Sequence, residues 1–145
     1  MIYLGSDHRG YNLKEKIKQW LAEWGQEFED LGNDHFDPED DYPIFAARVA
    51  KKIPNSQSQI PNFGIIICGS GVGMDITANR YQGIRCGLGF LPEQIKKARE
   101  DDDINCLALA ADFLDEKVAK EIVKTFLETP FSGQENKIRR LKKIE

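Results

Sequence analysis

The chain has 145 residues, 41 % of them apolar, which suits one ordinary domain with a single core. No apolar run approaches the ~20 residues of a membrane helix, and a net charge of −4 argues against non-specific nucleic-acid binding. The chain enters a strand at once, without the basic and then apolar stretch of a secretory leader, so the expected location is the cytoplasm.

Ile2 to Ser6 reads as a first strand, followed by a loop, Asp7-His8-Arg9-Gly10. Leu13, Ile17, Trp20, Leu21 and Trp24 then recur at helical spacing, with Asn12 as the expected N-cap and Gly25 as the stop. Glu27 to Leu31 reads as a short strand, and residues 33 to 42 as a polar, acidic surface loop. Pro43 opens a helix carrying Phe45, Ala46, Val49 and Ala50, and a polar connection runs from Pro54 to Pro61. The β-branched run Phe63 to Cys68 suits a buried strand. It ends in a thiol and the glycine turn Gly69-Ser70-Gly71-Val72-Gly73, and a helix follows from about Met74 to Asn79. A fourth strand is expected over Gly83 to Leu88, a helix from Pro92 with Ile95 and Ala98 on one face, and a fifth strand over Asn105 to Ala110. Val118, Ile122, Val123, Phe126 and Leu127 mark a further helix, and a basic, helical segment from about residue 134 ends the single domain, 1–145.

Strands alternating with helices predict an α/β fold with a parallel sheet covered on both faces, wound by right-handed crossovers. Ligands in such sheets bind beyond the C-terminal strand ends, where the strand order reverses. The loops at Asp7 to Gly10, Cys68 to Gly73 and Phe90 to Glu93 lie at such ends.

Cys68 supports two readings. A buried structural thiol would be inert; a thiol beside a helix N-terminus would favour the thiolate and serve as base or nucleophile. Gly69, Gly71 and Gly73 let main-chain N–H groups approach a ligand, a setting for developing negative charge. Their spacing misses the Gly-x-Gly-x-x-Gly dinucleotide fingerprint, so no nicotinamide cofactor is expected, while a phosphate-binding helix start stays open. Cys86 and Cys106 read as reduced core thiols, and the three cysteines lack metal-ligand spacing, so no metal is expected. His8 sits where an α/β site belongs but also fits a solvated loop histidine, and Tyr42 is either a packing residue or a ligand contact. His35, in the acidic loop, is assigned no role.

Taken together, Gly5-Ser6-Asp7-His8-Arg9-Gly10, Asp41-Tyr42-Pro43, Ile67-Cys68-Gly69-Ser70-Gly71-Val72-Gly73, Ala78-Asn79-Arg80 and Gly83-Ile84-Arg85 resemble the ribose-5-phosphate isomerase B family, which includes the galactose-6-phosphate isomerase subunits. The resemblance spans nearly the whole chain. It implies a Rossmann-like three-layer αβα sandwich with a five-stranded parallel sheet, and a homodimer or tetramer with active sites between subunits. It also implies cofactor-independent interconversion of an aldose phosphate and a ketose phosphate through a cis-enediolate. Cys68 matches the family's base and Ser70 the hydroxyl that moves protons between sugar oxygens. Gly69, Gly71 and Gly73 match the loop that holds the enediolate oxygen. Asp7 matches a contact to substrate hydroxyls, His8 a phosphate or sugar contact, and Tyr42 a pocket wall.

The chain departs from the family pattern in three places. Asp101 stands at the position of the ring-opening histidine before the fifth strand, with Asp102 after it. Asp112 replaces an arginine common after that strand. Near the C-terminus, Asn136 and Lys137 occupy the positions of an Arg-His pair, while Arg140 is kept beside Arg139. Losing two arginines would weaken phosphate binding by roughly two to four powers of ten, with Lys137 compensating in part. The leading expectation is ribose 5-phosphate to ribulose 5-phosphate isomerisation with Cys68 as base. The alternatives are an altered sugar or a hetero-partner, and a non-catalytic sugar-binding homologue. No membrane or nucleic-acid partner is expected.

Overall fold

In the computed structural model, which describes residues 1–55 and 59–144, five strands form one parallel sheet. They are β1 (Ile2–Ser6), β2 (Phe28–Asp30), β3 (Phe63–Cys68), β4 (Cys86–Gly89) and β5 (Cys106–Ala110), in the spatial order β2-β1-β3-β5-β4. The helices are α1 (Tyr11–Glu23), α2 (Tyr42–Lys52), α3 (Val72–Ala78), α4 (Pro92–Asp102), α5 (Glu116–Glu128) and α6 (Glu135–Leu141). The three-layer α/β architecture is therefore the expected one.

Alternation along the central strands builds two cores. Ile65 and Ile67 of β3, with Leu107 and Leu109 of β5, pack against Ile17, Trp20 and Leu21 of α1, Ile95 of α4, and Ile122, Val123 and Phe126 of α5. Ile66 and Cys68, with Cys106 and Ala108, face Phe45, Ala46 and Val49 of α2 and Met74 and Ala78 of α3. Strand side chains alternate faces, so the position of Cys68 in β3 dictates that its thiol lies on the α2/α3 side. Each large apolar side chain buried in this way contributes about 1.5–3 kcal/mol.

The chain runs outward from β1 to β2, then returns across β1 to β3. The strand order thus reverses between β1 and β3, and their C-terminal ends open the crevice in which ligands of such sheets bind.

Three local expectations are corrected, and the end of one helix is located. Asn12 is not the N-cap of α1: Gly10 is, so the helix starts two residues earlier, and the Asp7 side chain accepts the N–H groups of Arg9 and Gly10 in the loop before it. Helix α3 starts at Val72 rather than Met74, because Gly71 (φ 74°) completes the turn. Strand β4 starts at Cys86, since Gly83 (φ 79°) and the bond from Ile84 N–H to Tyr81 C=O make 83–84 a turn. Helix α4 continues through Asp102, so Asp101 and Asp102 lie in its last turn, and Asp103 (φ 45°) ends it.

One fully buried cation bears on the site. Lys14 of α1 is paired with Asp30 at the end of β2 and donates to the Asn33 carbonyl at 3.2 Å. This ties the acidic loop after β2 to the first helix.

Candidate active site

Four segments meet at the C-terminal end of the sheet: the loop after β1, the glycine turn after β3, the loop after β5, and the first residue of α2. They enclose a cleft of about 350 Å³ whose walls include Asp7, Arg9, Tyr42, Cys68, Ser70 and Asp112. Cys68 is 5 % exposed at its floor, and Ser70 is exposed above it.

Close approach explains two of the glycines. A Cβ on Gly69 would lie 2.5 Å from Arg9 Nε and 2.6 Å from Asp112 Oδ2. One on Gly73 would meet the Tyr42 ring at 2.7 Å. The Val72 N–H donates to Ser70 Oγ at 3.3 Å, which orients the hydroxyl at the start of α3.

Asp7 is 6 % exposed. Burial pushes its carboxyl above the ordinary carboxylate value. The Gly10 N–H, the His8 charge and the Arg9 N–H oppose that shift, and Asp40 adds to it.

His8 is held by Asp40, whose Oδ1 accepts both the His8 N–H at 2.9 Å and ring Nδ1 at 2.8 Å. A carboxylate only accepts, so Nδ1 carries the proton and Nε2 is left for other work. The Phe36 ring stands edge-on to the imidazole at 6.2 Å. Asp7, His8 and Asp40 bring potential metal-ligand atoms within 4.8 Å of one another. The hydrogen bonds just described account for that grouping.

Arg9 and Asp112 form an ion pair across the cleft mouth: Arg9 Nε donates to Asp112 Oδ2 at 2.8 Å and Nη2 donates to the same oxygen. This hydrogen bond, reinforced by the charge of Asp112, raises the guanidinium above its ordinary value.

The structure thus brings together Cys68, Ser70, Asp7, Tyr42, Gly69 and Gly73, with His8 beside them and Gly71 buried beneath the turn against Leu88. It places Asp101, Asp102, Lys137 and Arg140 elsewhere in the same chain. Helix α4 runs back antiparallel to the strands, so its C-terminal turn lies at the N-terminal end of the sheet, roughly 20 Å from Cys68 at ~3.3 Å per strand residue. Asp101 pairs there with Lys137 at 3.0 Å, beside a second cleft of about 690 Å³. Asp102 and Arg140 are exposed. Asp103 does not join an acidic cluster with them, because Arg85 and Arg99 take its carboxylate at 2.9 and 2.8 Å.

A model of the ribose/galactose isomerase family matches residues 2–144. The chain belongs to that family. Ribose-5-phosphate isomerase B of Mycobacterium tuberculosis is 34 % identical over 97 % of this chain and 85 % of its own length. Among solved structures, a ribose 5-phosphate isomerase from Thermotoga maritima superposes with TM-score 0.91 at 40 % identity, covering 99 % of this chain and 95 % of its own. The Mycoplasma genitalium ribose-5-phosphate isomerase B with bound ribulose-5-phosphate gives TM-score 0.92 at 38 % identity, covering 99 % and 92 %. The expected family membership and fold are both borne out.

Sequence reasoning missed Arg9 and Phe113, which line this isomerase-family cleft, and Asp40, which holds the neighbouring His8. Arg9 directly follows Asp7-His8 at a C-terminal strand end, and that position is a signal. Asp40 and Phe113 carried none, because their approach depends on how two loops fold back onto β1 and β5.

Proposed function

We propose that this chain interconverts ribose 5-phosphate and ribulose 5-phosphate, without a cofactor, through a cis-enediolate. The carrying observation is the convergence of the Cys68 thiol, the Ser70 hydroxyl and the Asp7 carboxylate on one cleft above a glycine turn. The relatives' named activity agrees with it.

In this reading the Cys68 thiolate removes the proton on C2 of the open-chain aldose and returns it to C1. A proton passes from O2 to O1 through the Ser70 hydroxyl, so the electrons balance within the sugar. Main-chain N–H groups of the turn over Gly69 to Gly73 stabilise the enediolate oxygen. Asp7 accepts from sugar hydroxyls, His8 presents Nε2 to the sugar or phosphate, and Tyr42 walls the pocket.

The proposed assembly is a homodimer in which the Asp101 edge of one protomer serves the Cys68 cleft of its partner. Exposed apolar side chains, Phe113 in the cleft wall, Val72 and Ile76 on α3, and Phe90 and Leu91 after β4, support a covering partner. In such a site Asp101 acts at the ring oxygen, Asp102 contacts the sugar, and Lys137 and Arg140 add positive charge near the phosphate. Among the described residues no helix is long and apolar enough to cross a membrane, and the proposed location is the cytoplasm.

The test is an isomerisation assay on the purified chain against pentose and hexose phosphates, with Cys68→Ala beside the wild type. Ribose 5-phosphate should be the preferred substrate, and Cys68→Ala should abolish turnover while the fold and assembly persist. Full activity in that variant removes Cys68 as the base. Absence of turnover and of heavy-water exchange with every sugar phosphate removes the isomerase reading.

A further inference from the structure

The substrate named above carries a doubly charged phosphate at the end remote from C1 and C2. The cleft holding Cys68 has two carboxylates in its walls, Asp7 and Asp112, and a single lysine or arginine among the described residues, Arg9. Bare, that lining repels a dianion. The geometry points to Arg9 as the residue of this chain that holds the substrate phosphate, with Asp112 holding the guanidinium in readiness until the phosphate displaces it.

Position supports this. Arg9 comes from the loop after β1 and Asp112 from the loop after β5, the strands that flank β3 on either side. Their ion pair therefore spans the glycine turn, and the missing side chain of Gly69 is what lets it lie there. From this place the guanidinium overlooks the cleft whose floor is Cys68.

Exchange is also favourable. The two side chains are 58 % and 34 % exposed, and ion pairs in contact with water are weak. Only Nε and Nη2 are engaged by Asp112, through a single carboxylate oxygen, and Nη1 has no partner among the described residues. A phosphate offers three acceptor oxygens to the same planar fork and can bond it bidentately, the stronger arrangement. Asp112 makes the empty cleft poorly attractive to small anions, and the substrate overcomes this with its sugar contacts as well as its phosphate.

This inference rests on the isomerase reading for the identity of the phosphate, so it is tested by binding as well as turnover. Inorganic phosphate and ribose 5-phosphate are titrated into wild type, Arg9→Ala, Asp112→Asn and Arg9→Ala/Asp112→Arg, and KM and kcat are measured in parallel. Arg9→Ala should weaken both ligands and raise KM roughly ten- to a hundredfold, the loss expected for a charge-assisted hydrogen bond, with kcat changed far less. Asp112→Asn should tighten inorganic phosphate. The double variant, which restores a guanidinium from the other side of Gly69, should recover most of the lost affinity. Unchanged phosphate binding in Arg9→Ala overturns the proposal, as does a fall in kcat with KM intact, which would place Arg9 at the enediolate. Weaker phosphate binding in Asp112→Asn, or no recovery in the double variant, overturns it too. Arg9-dependent phosphate binding without turnover leaves it standing and removes the isomerase reading instead.

Discussion

Asp40 grips His8 at two points, accepting its main-chain N–H at 2.9 Å and ring Nδ1 at 2.8 Å through the same oxygen. The other oxygen accepts from Asn33 Nδ2 at 3.0 Å. Asn33 in turn gives its carbonyl to the buried Lys14 ammonium. A continuous line of hydrogen bonds therefore runs from the core of the α1 side to the histidine beside the cleft, through a loop that sequence patterning marks only as polar and acidic.

Removing Asp40 should therefore loosen His8 without touching substrate. Asp40→Ala is expected to raise KM for ribose 5-phosphate roughly tenfold, the scale of one lost hydrogen bond to a charged group, with a smaller effect on kcat. Asp40→Asn keeps an acceptor oxygen for both His8 donors and should recover most of the loss. Steady-state kinetics on the two variants decide it. Equal impairment in both would show that charge, not orientation, is what Asp40 supplies.

Lys14 is the structural root of that line. Its ammonium has no exposure and is met by Asp30, by Glu15 at 3.2 Å and by the Asn33 carbonyl. Lys14→Met should cost roughly 3–5 kcal/mol, because it leaves the half-buried Asp30 carboxylate with Lys18 at 3.0 Å as its one cation and the Gly32 N–H at 2.9 Å. Burial pushes the Asp30 carboxyl up, but hydrogen bonds from Lys14, the Gly32 N–H and Lys18 bring it below the ordinary value. The folded carboxyl thus titrates lower than the unfolded one. Its stabilisation is present above the ordinary carboxylate range and is lost as pH falls through the depressed folded value. Denaturant titrations from neutral to acid pH should show that loss in wild type and a shallower one in Lys14→Met.

What could be read from the sequence was local. The β3 run ending in Cys68, the glycine turn, and the helical spacing of Ile17, Trp20 and Leu21 each depend on residues within a few positions of one another, so strand, turn and core face followed. The pairings that complete the cleft are not local: Asp40 is 32 residues from His8, and Asp112 is 103 from Arg9. Only the strand order brings them together. Asp101 depends on a relationship more distant still: α4 runs back antiparallel to the strands, so Asp101 can meet a Cys68 cleft only across two protomers, as proposed above. The Asn12 cap failed for a related reason, since the loop held by Asp7 turns at Arg9 and Gly10 and brings the chain into α1 already at Tyr11.

Gly10 offers a sharp test of how closely the β1 loop packs on β3. A Cβ there would lie 2.5 Å from the Ile67 carbonyl oxygen and 2.7 Å from its carbon, both backbone atoms that cannot move alone. Gly10→Ala should cost roughly 1–3 kcal/mol or more as overpacking, and should impair turnover, because the displaced loop carries Asp7 and His8. Gly25 provides the contrast: it has φ 67° but nothing within 4 Å of the methyl group that alanine would add, so Gly25→Ala should cost only ~1–2 kcal/mol of backbone strain and leave turnover unchanged. Thermal unfolding and KM for the two variants measure both effects.

Asp7 should make stability depend on pH in the opposite sense to Asp30. Its folded carboxyl binds a proton more tightly than the unfolded one, burial being the leading cause. Between the ordinary carboxylate value and the raised folded value the native state therefore holds more protons, so Asp7's contribution to stability falls as pH rises through that window and stays low above it. Asp7→Asn retains an oxygen to accept the Arg9 and Gly10 N–H groups but carries no charge to desolvate. The variant should be at least as stable as wild type at neutral pH and should lack that fall, while losing turnover through the missing sugar contact. Unfolding curves collected across the acid range compare the two directly. Parallel stability profiles would mean that Asp7 titrates alike in the folded and unfolded chain, and that its burial is not felt as a charge penalty.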